Sequence, residues 1–286
     1  MKKLTFLFAL LIMVSESYAQ KSGQILNQKT KEPVPYVNIQ VLGKRQGFTS
    51  DLKGKFKVTS IAKDSLVFSA IGFKNKTIIT KALPKEVFLS PTSYKMPEVT
   101  ITNEEEKTTK IGWVRKQLFS LHYGSSNGSF MIARFFPYDS SYRNTKFLKR
   151  LELLTDSDVE QAKFNVRLYN ADTTGKPGKS ILNQNLITIA EKGHNKTKVE
   201  LAEYALEFPN EGLFVIIEWL DLPENEYEYS FKDSRTGKEV KSVSLEPSFA
   251  TESHEKEEKS WTNYGEWKQS SGAFDKPLQM EIILRN

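Results

Sequence analysis

The residues that could do chemistry are few, and their spacing suits it poorly. Gly178-Lys179-Ser180 closes the stretch Thr173–Ser180 as a phosphate-binding loop would close. Such a loop needs a glycine five residues before Gly178, where Thr173 stands, and it lies between a buried strand and a helix. Here Pro177 interrupts it, and Asn170, Asp172 and the Gly-Lys-Pro-Gly run are turn formers, so the stretch is predicted to connect two strands. The chain has no cysteine, which removes thiol catalysis and disulfides, and only three histidines. The one G-x-S-x-G spacing, Gly124-Ser125-Ser126-Asn127-Gly128, runs into the strand candidate "SFMIARFFP" instead of the helix that a nucleophile elbow opens. A glycosidase-type carboxylate pair has no signature in residue order. No catalytic residue is therefore assigned. What remains is aromatic. Trp261, Tyr264 and Trp267 crowd into "WTNYGEW", and flat apolar rings with polar tips can stack on sugar rings. Equally, such residues often plug the end of a sandwich, since Trp is usually well buried. The three are the candidate binding residues, as an aromatic platform. Trp219, inside an apolar strand, belongs to the core, and Trp113 is expected to dock a linker.

The elements that must position these residues are strands. "VPYVNIQVLG" alternates, with Val37, Ile39 and Val41 on one face against Asn38 and Gln40 on the other. "GKFKVTSI", "DSLVFSAIGF", "KEVFLSP" and "EVTITN" continue the series, punctuated by glycine and proline. Asp51 and Gly54 frame a β-turn that aims Phe56 inward, and Leu52 and Lys53 deny Asp51 the alternate ligands of a calcium loop. Residues 102–110 are polar and read as a linker. Beyond them "FNVRLYN" alternates strictly, Phe164, Val166 and Leu168 inward against Asn165, Arg167 and Tyr169 outward. "LFVIIEWL" is apolar almost throughout and predicts a buried central strand. "AEYALEF" is the main helix candidate. The chain reads as all-β: a small sandwich over residues 21–101, then a larger jelly-roll-like sandwich over 111–286.

Gly23, Pro35-Tyr36-Val37-Asn38-Ile39, Gly47-Phe48-Thr49-Ser50-Asp51, Gly54-Lys55-Phe56, Asp64-Ser65-Leu66-Val67-Phe68-Ser69 and Ile71-Gly72-Phe73 come in an order that resembles the carboxypeptidase-regulatory-like domain of Bacteroidetes envelope proteins. The resemblance covers about eighty residues and implies a transthyretin-like β-sandwich without catalytic duty. The second half resembles, more loosely, sandwich domains of secreted Bacteroidetes proteins, through Phe164–Tyr169, Gly175-Lys176-Pro177-Gly178 and Gly212–Val215 with Glu218-Trp219. The peptidase chemistry that the family's name evokes is incomplete. His254 and Glu257 are spaced H-x-x-E, but the second histidine needed downstream is missing, because His254 is the last of the three. The stretch reads as a solvated charged loop, and no metal site or cofactor is assigned.

The N-terminus bears on location. Lys2 and Lys3, an apolar run from Leu4 to Val14, and Ser17-Tyr18-Ala19 have the layout of a secretory signal over residues 1–19, with Gln20 as the new N-terminus. The run is about half of a membrane span. Export to the periplasm, the outer-membrane surface or the medium is expected. The net charge of +6 is spread, with no basic stripe for nucleic acid. These features predict a non-catalytic envelope protein that binds a glycan or a protein partner. The alternatives are an accessory subunit of an outer-membrane or secretion assembly, and a hydrolase with a carboxylate pair on its loops.

Overall fold

The computed structural model describes residues 18–92, 106–115, 122–126, 128–251, 260–271 and 275–286. The expected signal segment before Tyr18, the strand candidate "EVTITN", residues 102–105 of the linker and the His254–Glu257 stretch lie outside these residues.

Among the described residues, the first domain has seven strands: β1 (Tyr18–Asn27), β2 (Asn38–Val41), β3 (Gly47–Thr49), β4 (Lys55–Ile61), β5 (Ser65–Ser69), β6 (Lys76–Ile79) and β7 (Glu86–Leu89). They form two sheets, β4-β1-β7 and β3-β2-β5-β6. Ile25, Phe56, Val58, Val87 and Leu89 from the first meet Ile39, Val41, Leu66 and Phe68 from the second. The period-2 pattern of the sequence produces this directly, because every second side chain points inward. The Asp51 turn forms as expected. Its carboxylate accepts from the Lys53 and Lys55 amides at 2.8 Å each, and Gly54 sits at φ +67°.

The second domain contains β8 (Thr108–Gly112), β9 (His122–Ser125), β10 (Met131–Phe136), β11 (Phe147–Ser157), β12 (Ala162–Ala171), β13 (Pro177–Ser180), β14 (Leu186–Ala190), β15 (Gly193–Glu200), β16 (Leu213–Trp219), β17 (Glu226–Lys232), β18 (Glu239–Ala250), β19 (Trp261–Asn263), β20 (Trp267–Gln269) and β21 (Met280–Arg285). It begins at Thr108, inside the stretch whose composition reads as linker. One sheet contains the run β8-β21-β11-β15, the other β10-β16-β12-β14, all antiparallel. These two orders are the interleaved Greek keys of a jelly roll, with β17 to β20 inserted before the last strand. Phe164, Val166 and Leu168 face inward, and β16 is buried along its whole length between β10 and β12. The helix expected at "AEYALEF" is one 3-10 turn, Ala202–Tyr204, which ends at Ala205 in the left-handed region (φ +45°).

One expectation is half right. Asn165 and Arg167 do point away from the core, yet both are buried. Arg167 Nε and Nη2 donate to the two oxygens of Glu218 at 2.9 and 3.0 Å, and Asn165 Nδ2 adds a third bond at 2.8 Å. Burial works against the Arg167 charge. Glu218 and Tyr169 more than offset it and hold the guanidinium pKa above its ordinary value.

The two domains touch through backbone. Gly47 and Gly128 form a parallel bridge, in which the Ser129 amide donates to the Gly47 carbonyl at 3.0 Å. Around it, Asn38 Nδ2 donates to Ser129 Oγ at 3.0 Å, the Asp221 amide to Thr49 Oγ1 at 2.9 Å, and the Gly43 amide to the Tyr264 carbonyl at 2.8 Å. Tyr36 packs with Leu220, Leu222 and Ile187 beside them.

Candidate functional site

The stretch Thr173–Ser180 is a hairpin connection, as its residues predict. Asp172 accepts from the Thr174 and Lys176 amides and the Thr174 hydroxyl, and Pro177–Ser180 pairs back onto β12. The amides a phosphate would need are therefore engaged in the turn.

The candidate aromatic platform is divided. β19 and β20 form a hairpin on the edge of the β10 sheet, with Trp261 opposite Ala133 and Asn263 opposite Trp267. The pleat puts both indoles on the outer face. There they pack, half-buried, over Met131, Ala133, Phe214 and Ile216, and Trp261 meets the Phe214 ring edge-on at 5.8 Å. Tyr264 belongs to the turn, where two-residue alternation no longer applies. It lies instead near-parallel to Phe130 at 6.1 Å, under the Arg45 guanidinium at 5.5 Å, and so serves the domain junction. A cleft there is lined by Arg45, Ser125, Phe130 and Tyr264. At about 100 Å³ it is smaller than the roughly 300 Å³ of a small-molecule pocket.

A second aromatic feature escaped sequence reasoning. β17 and β18 form a hairpin arm whose outer strand is exposed along nearly all its length. Tyr227, Tyr229 and Phe231 line one side as a ladder, with ring separations of 6.3 and 6.1 Å. Tyr229 and Phe231 are 36% and 47% exposed, which a ring contributing only to a core would not be. The signal was there in "YEYSFK", a Y-x-Y-x-F alternation that reads as a strand before it reads as a surface.

Asp221, at the domain junction, has its carboxyl pushed up to about 6, first by burial and then by the charge of Glu226. Between the ordinary carboxyl value and that one, the folded protein holds a proton that the unfolded chain has released. Stability therefore falls as pH rises through this window. Replacing Asp221 with Asn should remove this component. Urea unfolding at about pH 4 and pH 7 should show the variant gaining on the wild type by up to about 3 kcal/mol at the higher pH.

Comparisons with known proteins bear on the first domain. Among curated proteins nothing matches. Among solved structures, the cysteine protease and lectin-like domains of Cwp84, a surface-layer-associated protein of Clostridium difficile, align at 10% identity and a TM-score of 0.41, over 96% of this chain and 60% of that one. The clostridial cysteine protease Cwp84 after propeptide cleavage aligns at 12% identity and 0.40, over 93% and 70%. The infectious bursal disease virus Gx strain structure aligns at 10% and 0.24, over 93% and 59%. Likenesses this distant transfer no activity. The family described as CarboxypepD_reg-like domain matches residues 21–101. That match and the seven-stranded sandwich cover the same part of the chain: residues 21–101 are a CarboxypepD_reg-like domain.

Proposed function

We propose that this chain is an exported, non-catalytic binding protein of the bacterial envelope, and that it engages a protein partner through the β17–β18 arm. The observation that carries the reading is the Tyr227–Tyr229–Phe231 ladder on an edge strand seven residues long. A long edge offers unpaired amides and carbonyls to another strand, and proteins usually shield it. Aromatic rings beside such an edge supply the side-chain contacts of strand addition, and tyrosine is among the residues that dominate interface energetics. The CarboxypepD_reg-like domain supports the same reading, as a regulatory or binding module by family. The apolar run Leu4–Val14 behind Lys2 and Lys3 supports export.

The test compares the wild type with Tyr229→Ala/Phe231→Ala and with Trp261→Ala/Trp267→Ala, in pull-downs from envelope fractions and on a glycan array. The exposed arm should tolerate its double substitution within about 0.5 kcal/mol, so a loss of capture reports on binding. Capture lost with the arm variant and kept with the tryptophan variant is the expected result. Capture unaffected by the arm variant, or absent in the wild type, overturns the reading. Glycan binding lost only with the tryptophan variant would replace it with a sugar-binding one. Export is checked separately, by sequencing the N-terminus of the protein made in a bacterial host, where Gln20 should come first.

A further inference from the structure

Two of the three histidines, far apart in the chain, meet on the outer face of the β11 sheet. His194 of β15 lies directly opposite Asp156 of β11, which in turn lies opposite Ser248 of β18. His122 opens β9, the strand on the far side of β18. One donor atom from each of His122, Asp156 and His194 lies within 4.8 Å of the others. His194 Nδ1 and Asp156 Oδ1 are 3.2 Å apart, and the two imidazole rings lie near-parallel at 6.2 Å. Donors about 2.0–2.2 Å from a tetrahedral zinc ion stand about 3.3 Å from each other. The His194–Asp156 pair already has that spacing, and a donor atom of His122 lies within 4.8 Å of both.

We propose that His122, Asp156 and His194 bind a divalent transition-metal ion of the zinc class, with the remaining coordination position open to water or to a ligand's oxygen. The donor set is chemically apt, since imidazole and one carboxylate suit zinc, copper, nickel and iron better than calcium or magnesium. The surroundings favour a cation. Asp158 and Glu246 face the same region, and Glu246 is pushed up by burial first, then by the charges of Asp158 and Asp156. The nearby cation Lys196 is engaged by Glu152 on the next rung. A metal here would tie β9, which hydrogen-bonds only to β18 among the named strands, to β11 and β15.

Isothermal titration of the full chain, carrying no histidine tag, with zinc chloride at neutral pH tests this. One equivalent should bind, and zinc should raise the melting temperature. His194→Ala should weaken binding on the order of a hundredfold, at least as much as losing an outer-shell partner costs. His194 is largely exposed, so this variant should keep its fold even if His122→Ala does not. Asp156→Asn should weaken binding similarly. Absence of uptake by the wild type overturns the proposal, as does equal zinc affinity in wild type and His194→Ala.

Discussion

Glu218→Ala should destabilise the protein by about 3–5 kcal/mol, the effect of leaving a buried cation without its counter-charge. Arg167 is 1% exposed and Glu218 wholly buried, so water cannot step in for the missing carboxylate. Asn165 would lose an acceptor in the same substitution. The double substitution Arg167→Met/Glu218→Leu should recover most of the loss, because apolar side chains of similar volume remove both desolvation costs together. Ile216 and Met131 already line that face. A double-mutant cycle by urea unfolding measures the pair. If Glu218→Ala costs less than about 1 kcal/mol, solvent reaches the pair and its burial is wrong.

Gly47→Ala should release the two domains from each other while both sandwiches stay folded. A methyl group at Gly47 would run into the Ser129 carbonyl oxygen, and one at Gly128 into the Gly47 carbonyl oxygen. Backbone cannot rotate aside as a side chain can, and overpacking of this kind commonly costs about 1–3 kcal/mol, with the upper end expected here. The domains must part to accept it. They would then lose the Asn38–Ser129 and Thr49–Asp221 hydrogen bonds, each worth about 1 kcal/mol. The variant should show an increased radius of gyration in solution scattering, faster cleavage between the domains, and unchanged circular dichroism. Gly124→Ala is the control, because its methyl would meet only the Ser248 Cβ at an ordinary 3.8 Å. Unchanged scattering from Gly47→Ala would show that the bridge does not hold the domains together.

Much of this architecture was legible in residue order, for a local reason. Phe164, Val166 and Leu168 find the core because the pleat enforces their alternation, and Asp172 and Gly54 make turns with their own neighbours. What the order of residues hides is what a second layer or a distant strand brings. Arg167 alternates outward like any solvated residue, and only Glu218 on the neighbouring strand shows that it is paired in the dark. Tyr264 looks like a partner of Trp261 and Trp267, but a turn residue leaves the pleat and goes to the domain junction. His122, Asp156 and His194 share no local pattern at all. They meet through the register of β9, β18, β11 and β15, which is settled by the whole sheet.

β21 has a consequence for how the chain is made. It is the last strand in order, yet it lies in the interior of its sheet, between β8 and β11, and Ile282 and Leu284 fill the core. Until residues 280–285 have been synthesised, β8 has no neighbour and one side of β11 stands open at Phe147–Leu153. The second sandwich therefore cannot close before residues 280–285 are available to it, and pairings between distant parts of a chain also form slowly. The first domain, whose strand partners all lie within residues 18–92, can finish early. A nascent chain of this kind carries a folded first domain and an open second one until β21 arrives, which makes the interval after β11 is made and before β21 arrives the time of greatest exposure to chaperones and proteases.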